Sequence, residues 1–312
     1  MRSKQPKRRF GNVLVPVLAI LLAYVGFCYW LSSLYLAPSK RTSLRPPGAL
    51  DLLLPTLEGP VPVWASPGIG NKLSTRYNVR PRAGGSAALV NREPDPTSAV
   101  YILIHGHGGH RGSWTELYRD LVAAGHEVLV PEMPGHGVNP DPVCGFGPKE
   151  SRIAASLARS ARAASLPATR VVGVGLSLGG AALWLAGRDD PDAFDAIVSE
   201  GSFAELQPTV DRWFSKTLPG AHLVMRPVQW FAQARTGVRP SQVRPVEAAK
   251  AWRGRPALVI HAENDRLAPE GDARRIAEAA QAELWVVPGV GHAQAWDGDP
   301  QGYLKRLLSF AK

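Results

Sequence analysis

The amino-acid sequence predicts an α/β fold with a mostly parallel, doubly wound sheet. From Ala99 onward, short apolar runs typical of strands alternate with segments that have helical spacing. The valine-rich run at residues 171–174 leads through a glycine-rich turn directly into an apolar helix, and residues 256–261 resume the strand pattern. Strands that alternate with helices in this way form parallel sheets covered by helices on both faces.

The composition is that of one globular domain with a basic amino terminus. The 312 residues are 45% hydrophobic and 20% charged, which suits a single sizeable core. Five of the basic residues behind the net charge of +10 precede Phe10. The others are scattered and are not interleaved with aromatic residues, so we expect no nucleic-acid partner. The two cysteines, Cys28 and Cys144, form no C-x-x-C motif and predict no disulfide framework.

The amino-terminal residues predict a membrane anchor. We expect residues 1–12 to form a basic cytoplasmic tail and residues 13–36 to form a transmembrane helix, because no charged residue lies between Arg9 and Lys40. A stretch of this length spans the ~30 Å hydrocarbon core of a bilayer. The basic tail predicts a cytoplasmic amino terminus and places the rest of the chain outside the cytoplasm.

Two other interpretations of this stretch stay open. A cleaved signal peptide would carry an apolar region of ~7–15 residues and then an A-x-A-like site, and the sequence around Tyr35 and Leu36 offers no convincing site of that kind. A buried core helix is the other interpretation, and the neighbouring basic terminus argues against it.

The stretch after this helix predicts a linker and then the folded domain. Prolines recur through residues 37–62, which is typical of a stiff, extended spacer. We expect the folded domain to cover residues 63–312 and to begin with short strands, one of them at residues 72–79.

The most informative stretch is the turn from Gly175 to Gly179, which reads G-L-S-L-G. A turn from a strand straight into a helix forces its central residue into a strained backbone, and its neighbours must be small. Gly175 and Gly179 meet that need. Ser177 at the apex is then exposed at the carboxyl end of the strand, as in the G-x-S-x-G pattern of nucleophilic serines.

Two glycine-rich loops follow earlier predicted strands. Residues 105–109 read HGHGG, and residues 134–137 read PGHG. An oxyanion that develops during acyl transfer needs hydrogen-bond donors that are already in place, and backbone N–H groups in a glycine-rich loop can supply them. We expect His136 in the second loop to support the site rather than to act as its base.

Two polar residues late in the chain also follow predicted strands. Asp265 lies in a short loop after residues 256–261, with Pro269 opening the next helix, and His292 precedes the last helix. Glu263 and Glu200 are the alternatives for the acid, and Glu200 also follows a predicted strand. With Ser177, the chain order is Ser, Asp, His.

From about residue 63 to the carboxyl terminus, these motifs resemble the α/β-hydrolase family. The resemblance implies the α/β-hydrolase fold, with Ser177 as nucleophile, His292 as general base and Asp265 as the carboxylate that orients the histidine. The pattern after the nucleophile, with its closing H-x-x-x-W segment, looks closest to the Bem46-like and serine-aminopeptidase-like branch.

The same resemblance assigns the two oxyanion-hole donors to the backbone N–H groups of His107 and Leu178. It also implies a short helical cap at about residues 203–252, which would cover the serine and exclude water. We expect the large apolar side chains of this cap to line a slot for an acyl chain; they are Trp213, Phe214, Leu218, Met225, Trp230 and Phe231.

The sequence therefore predicts a membrane-anchored serine hydrolase that cleaves a small-molecule or lipid ester and needs no metal or cofactor. A serine aminopeptidase-like peptidase of the same fold is the first alternative, and a tethered non-catalytic domain is another. A zinc-dependent hydrolase is a third, because His105, His107 and His110 have the H-x-H-x-x-H spacing of metallo-β-lactamase-fold hydrolases. Gly109 stands where those proteins have an acidic ligand.

Overall fold

The computed structural model describes residues 11–82, 98–166, 168–217 and 222–312. In this part of the chain, eight strands form one sheet, in the order β1-β2-β4-β3-β5-β6-β7-β8. In chain order the strands are β1 (Leu50–Thr56), β2 (Gly59–Ala65), β3 (Val100–Ile104), β4 (Glu127–Pro131), β5 (Val171–Leu176), β6 (Ala196–Glu200), β7 (Ala257–Ala262) and β8 (Glu283–Val287).

The sheet is mostly parallel, which confirms the predicted fold class. β1 and β2 form an antiparallel hairpin, and β2 is also antiparallel to β4. All other neighbouring strands are parallel. The carboxyl ends of β3, β5, β6 and β7 therefore meet at one edge of the sheet, where open α/β sheets bind their ligands.

Helices cover both faces of the sheet. The described α-helices are α1 (Gly11–Leu36), α2 (Pro67–Tyr77), α3 (Thr115–Ala123), α4 (Pro148–Ala164), α5 (Leu178–Asp189), α6 (Leu206–Thr217), α7 (His222–Thr236), α8 (Pro245–Ala251), α9 (Glu270–Ala280), α10 (Ala295–Gly298) and α11 (Pro300–Ser309). Short 3-10 turns cover Arg111–Trp114 and Pro240–Gln242.

Two apolar layers lie on opposite sides of the sheet. One layer contains buried residues of α4, α5 and α9, together with Trp252 at the end of α8. The other contains buried residues of α3 and α11, including Tyr118 and Leu307. All five residues of β3 are buried, and they alternate between the two layers. A strand covered on both faces reads as a continuous apolar run, which is why β3 was evident in the sequence.

The prediction that residues 37–62 form a linker is wrong from residue 50 onward, because β1 begins there and belongs to the sheet. Leu50, Leu52 and Leu54 alternate along β1 and are buried in the domain core. Pro55 pairs with Pro60 at the end of the hairpin. Pro55 is tolerated because β1 is an edge strand, and Pro60 because it precedes the residues of β2 that pair with β4. The folded domain therefore begins before residue 63.

The strand predicted at residues 72–79 is also wrong, because most of this segment forms the end of α2. Pro67 stands in the first turn of α2, where its missing N–H costs nothing. Ile69 and Leu73 are four residues apart and buried, and Asn78 ends the helix in a left-handed conformation. α2 was difficult to predict from the sequence because it buries few residues, so the apolar periodicity of a helix is weak there.

The apolar stretch predicted as a membrane anchor forms α1. Val15–Leu36 is long and apolar enough to cross a membrane by length and composition. The basic tail predicted for residues 1–12 lies mostly outside the described residues. The carboxyl-terminal half of α1 packs against α7, which lies between β6 and β7 in the segment predicted as a cap.

Candidate active site

Ser177 lies at the apex of the turn between β5 and α5. Its backbone has φ 50° and ψ −112°, a conformation that side-chain-bearing residues rarely adopt and that clusters at functional sites. A Cβ on Gly175 would lie 2.4 Å from the carbonyl carbon of Gly179, and a Cβ on Gly179 would lie 2.3 Å from the carbonyl oxygen of Ile104. Both glycines are therefore required by the close approach of the backbone.

The HGHGG loop lies directly against Ser177. β3 pairs with β5 so that Ile104 is opposite Gly175, and a Cβ on Gly106 would lie 3.1 Å from the Cβ of Ser177. Leu178 is the first residue of α5, where a backbone N–H has no partner within the helix. His107 and Leu178 line the same cavity as Ser177, so the two predicted oxyanion-hole residues are both beside the serine.

His136 of the PGHG loop holds the HGHGG loop in place. Its Nε2 atom accepts a hydrogen bond of 3.0 Å from the backbone N–H of Gly108, and its Nδ1 atom donates one of 2.8 Å to the carbonyl oxygen of Pro134. Burial, with the nearby charges of His105 and His107, lowers the pKa of His136 to about 3. The ring is therefore neutral and serves as a fixed support.

His292 and Asp265 are joined by a hydrogen bond of 2.6 Å between Nδ1 and Oδ2. The other oxygen of Asp265 accepts hydrogen bonds of 2.8 and 2.9 Å from the backbone N–H groups of Leu267 and Ala268. Burial raises the pKa of Asp265, but the hydrogen bond and charge of His292 and these two donors lower it more, so the net pKa lies below the usual range. Asp265 is ionised at neutral pH and holds the His292 ring.

Glu200 does not contact the ring of His292 by a hydrogen bond. Its Oε1 atom accepts one of 2.9 Å from the backbone N–H of Ala295, and its carbonyl oxygen accepts one of 2.7 Å from the N–H of Ser177. Burial raises the pKa of Glu200 to about 7, although the Ala295 donor works in the opposite direction. Glu200 thus links the serine turn to the segment after His292.

Glu263, the other alternative for the acid, is exposed. Its Oε2 atom accepts a hydrogen bond of 2.9 Å from the backbone N–H of Gly289. It therefore braces the loop between β8 and His292. Of the three carboxylates considered, Asp265 is the one that bonds to His292.

Ser177 and His292 lie where two cavities meet. The first, the apolar cavity, has a volume of about 170 Å³ and is lined in part by residues of α6. The second, the polar cleft, has a volume of about 520 Å³ and a more polar lining. Both are lined by Ser177, His107 and His292. A substrate with one apolar and one polar half can place the bond between them at the serine, with each half in its own cavity.

The predicted cap side chains divide into several environments. Trp213 lines the apolar cavity, and Phe214 is buried beside it. Met225 and Phe231 are partly buried against the core. Trp230 is 64% exposed on the outer face of α7, so it lines no slot above the serine. Leu218 lies outside the described residues.

Two aromatic residues of the apolar cavity were missed by sequence reasoning. Tyr35, in the last turn of α1, and Phe146, in the loop before α4, both line it. Phe146 has φ 50°, a strained conformation that marks functional segments but that no sequence pattern revealed. Tyr35 was assigned to the anchor, and nothing in its neighbourhood along the chain indicates contact with the cavity.

The histidines of the H-x-H-x-x-H segment are engaged by the backbone. His105 bonds to Gly106 O at 2.9 Å and to Met133 N at 3.1 Å, and His107 donates from Nε2 to Tyr35 O at 2.8 Å. Nδ1 of His110 accepts from the N–H of its neighbour two residues on. Within the described ranges, no three His, Cys, Asp or Glu side chains are arranged to hold a metal ion.

Comparison with known proteins identifies a family. A sequence profile described as "Alpha/beta hydrolase family" matches residues 101–306, which contain Ser177, Asp265 and His292 but not Tyr35. No curated protein matches the sequence.

Solved structures with a similar fold include hydrolases of more than one kind. The esterase Pf2001 of Pyrococcus furiosus has a TM-score of 0.60 at 16% identity, over 84% of this chain and 91% of that one. A puromycin-hydrolyzing peptidase of Mycobacterium tuberculosis has a TM-score of 0.56 at 19% identity, over 84% of this chain and 39% of that one. A putative non-heme bromoperoxidase, BpoC, of the same organism has a TM-score of 0.50 at 17% identity, over 70% and 95%. At these identities the likeness shows the fold.

Proposed function

Because the chain belongs to the α/β hydrolase family, we propose that it is a membrane-anchored serine hydrolase of carboxylic esters. The observation that carries the proposal is the 2.6 Å hydrogen bond between His292 and Asp265, at a cavity that Ser177 also lines. A serine hydroxyl becomes an effective nucleophile only when a base takes its proton. An imidazole fixed by an ionised carboxylate is such a base.

The reaction proceeds in two halves. Ser177 Oγ attacks the ester carbonyl while Nε2 of His292 takes its proton, and Asp265 stabilises the imidazolium through Nδ1–H. The oxyanion that forms accepts hydrogen bonds from the backbone N–H groups of His107 and Leu178. The protonated His292 then gives the proton to the leaving alcohol. Water, activated by the same ring, releases the acid from the acyl-enzyme and restores Ser177.

The lining of the apolar cavity favours an acyl chain over the charged amino terminus of a peptide, whereas the polar cleft is lined by the carboxylates of Glu116, Glu200 and Asp297. Among the described lining residues of the apolar cavity are two arginines, Arg212 and Arg266, and no carboxylate. An aminopeptidase must hold a substrate ammonium group, and a carboxylate would serve that purpose. The acidic cap residues point elsewhere: Glu205 pairs with arginines of the surface, and Asp211 bonds to glutamine side chains. An acyl chain fits this cavity better than a charged amino terminus.

The end of α1 is joined to the loops of the site, which supports an anchor that stays attached. Removal of α1 as a signal peptide would break two hydrogen bonds that its last residues accept. The carbonyl oxygen of Tyr35 accepts one of 2.8 Å from Nε2 of His107 in the HGHGG loop, and that of Leu36 accepts one of 2.8 Å from the backbone N–H of Cys144, in the loop after the PGHG segment. By the positive-inside rule, the basic residues before Phe10 favour a hydrolase domain outside the cytoplasm, and a reporter fused after Lys312 tests this orientation.

The decisive test is active-site labelling of the purified full chain with a fluorophosphonate, followed by mapping of the modified residue. We expect the label on Ser177, and we expect Ser177→Ala to lose both the label and about 10⁴-fold or more of kcat. Full activity in Ser177→Ala would contradict the serine mechanism.

A series of substrates distinguishes an esterase from an aminopeptidase-like peptidase. With p-nitrophenyl esters from acetate upward, each buried methylene adds about 0.8 kcal/mol, so kcat/KM should rise about fourfold per carbon until the cavity is filled. Aminoacyl nitroanilides should be cleaved negligibly. Faster cleavage of an anilide with a free amino group than of any ester would favour the peptidase instead.

A further inference from the structure

The helix α7 runs alongside the carboxyl-terminal half of α1 in the same direction. The hydroxyl of Tyr24 donates to the carbonyl oxygen of Leu223 near the start of α7. Five residues further along α1 and eight along α7, the rings of Tyr29 and Phe231 meet edge to face with centroids 5.6 Å apart. Near the end of α7, Nη1 of Arg235 bonds to the hydroxyls of Ser32 and Ser33 at 3.2 and 2.8 Å. Any membrane that surrounds this part of α1 must also meet α7.

The outer face of α7 exposes two large apolar side chains, with the exposed Arg226 between them. Leu223 is 65% exposed and Trp230 is 64% exposed, and Trp30 of α1, next to Tyr29, is 53% exposed. Several large apolar side chains exposed on two packed helices indicate a partner, and the long side chain of Arg226 can extend its charged group from an apolar surface toward headgroups. Since the neighbouring face of α1 is an uncharged, membrane-length surface, the partner that is continuous with it is the bilayer.

The residues along α1 and α7 follow the order of a membrane interface. Tyr29, Trp30, Trp230 and Phe231 lie at one level, as in the aromatic belts of membrane proteins. Arg235 lies toward the hydrolase domain from this level, where headgroups lie. Leu223 contacts Tyr24, which lies five residues before Tyr29 along α1. At the rise of an α-helix, this contact is about 8 Å deeper in the membrane than the aromatic level. Interfacial helices bury their apolar faces to a similar depth, roughly 5–10 Å.

The catalytic cavity lies next to this interface. Tyr35, which lines the cavity, is six residues beyond Tyr29 along α1, or about 9 Å at the helical rise. The cavity wall therefore begins where the aromatic level ends. An acyl chain anchored in the leaflet has only a short distance to travel before it reaches the cavity that Ser177 lines.

We propose that α7 lies in the leaflet beside α1, with Leu223 and Trp230 in contact with lipid, and that the substrate is an acyl ester carried by the bilayer. This inference rests on the proposed function, since it names the source of the ester that Ser177 attacks. α1 is then part of the substrate pocket as well as the anchor. The cap is the route by which a lipid enters from the membrane.

The activity test compares one ester in the bilayer with one in water, using the full chain in phosphatidylcholine vesicles. The bilayer ester is 4-methylumbelliferyl oleate, and the water-soluble ester is p-nitrophenyl acetate. We expect Leu223→Glu and Trp230→Glu to lower turnover of the oleate at least tenfold and to leave turnover of the acetate within twofold. The matched control is Leu57→Glu, since Leu57 is 81% exposed on the β1–β2 turn, and it should change neither rate.

A depth measurement provides a second readout that does not depend on catalysis. An environment-sensitive fluorophore is placed on Leu223→Cys or Trp230→Cys, with Glu278→Cys on the exposed face of α9 as the control. The native cysteines, Cys28 and Cys144, are buried. We expect lipids brominated in their acyl chains to quench the labels on α7 and not the label on α9.

The outcomes separate this inference from the proposed function. Equal quenching at all three positions, or cap variants that lower both substrates together or neither, would overturn the membrane-embedded cap. A wild-type enzyme that hydrolyses neither ester and takes no fluorophosphonate label would instead overturn the serine esterase, and with it the lipid substrate.

Discussion

The ring of Tyr35 stacks on the ring of Phe146, with centroids 4.5 Å apart and an angle of 23° between the planes. Tyr35 belongs to the last turn of a helix with the composition of a membrane anchor, and Phe146 belongs to a strained loop of the hydrolase domain. Both line the apolar cavity beside Ser177. The helix therefore completes a wall of the candidate active site, and removing the ring should alter which acyl chains fit.

We expect Tyr35→Ala to shift the acyl-chain optimum toward longer esters and to lower kcat/KM for short esters several-fold, because short chains lose their packing partner. The matched control is Leu34→Ala, since Leu34 is the preceding residue and is 51% exposed away from the cavity. The measurement is the p-nitrophenyl ester series for both variants. An unchanged chain-length profile in Tyr35→Ala would remove Tyr35 from the pocket.

Asp265→Asn should lower kcat by about 10³-fold or more, because the amide no longer holds His292 in the tautomer that accepts the serine proton. Glu200→Gln should have a much smaller effect on kcat at neutral pH, since Glu200 bonds to the backbone of Ala295 instead of the His292 ring. The measurement is kcat for one ester with both variants. An active Asp265→Asn beside an inactive Glu200→Gln would transfer the acid role to Glu200.

Gly201→Ala should lower kcat by about 10²-fold through displacement of the histidine. A Cβ at this position would lie 3.2 Å from Cε1 of His292 and 3.4 Å from Oδ2 of Asp265. Gly254 has a similarly positive φ with no atom within 4 Å of an added Cβ, so Gly254→Ala is the control for backbone strain.

Both glycine variants should lose about 1–2 kcal/mol of unfolding free energy, the cost of a side chain in a left-handed conformation. Only Gly201→Ala should lose activity, which separates the contact with His292 from the strain. Thermal unfolding and kcat are measured on the same samples. Equal activities in the two variants would show that the ring does not depend on the space at Gly201.

Glu200 should make folding stability depend on pH. Burial raises the folded-state pKa from the ordinary 4.5 to about 7, so the folded state holds the proton more tightly than the unfolded chain does. The stabilisation is fully present below pH 4.5 and is lost as the pH rises through 7. Relative to Glu200→Gln, the wild type should lose roughly 3 kcal/mol of unfolding free energy over this range. If the difference in unfolding free energy between the wild type and Glu200→Gln is the same at pH 4.5 and pH 7.5, Glu200 is not a buried, protonated group.

Chelation should leave turnover intact. The ring nitrogens of His105 and the Nε2 atom of His107 are already hydrogen-bonded to the backbone, so they are not free to form a zinc site. The measurement is ester hydrolysis after exhaustive dialysis against EDTA, with metal content determined on the same sample. Stoichiometric zinc, together with activity that is lost on its removal and restored on its return, would revive the H-x-H-x-x-H interpretation.

Local sequence patterns were enough to predict the fold class and to nominate the serine, aspartate and histidine of the candidate site. The turn at Ser177 is recognisable because its backbone conformation demands glycines within two residues on each side, and the structure shows the contacts that make Gly175 and Gly179 necessary. Asp265 and His292 were recognisable because each follows a predicted strand of the sheet, β7 and β8 respectively. The parallel sheet brings the ends of such strands together, so residues far apart in the chain become neighbours.

Contacts between distant segments decided the rest. β1 is a strand only because β2 lies beside it, and the prolines of residues 37–62 by themselves indicated a linker. The sequence identified α1 as apolar and long enough for a membrane, but the position of Tyr35 in the cavity depends on the packing of α1 against α7 and on its bonds to the HGHGG loop. Whether Trp213 faces the cavity and Trp230 faces outward likewise depends on how the cap helices dock. Composition determines that a side chain is apolar, and only the tertiary structure determines which apolar surface it meets.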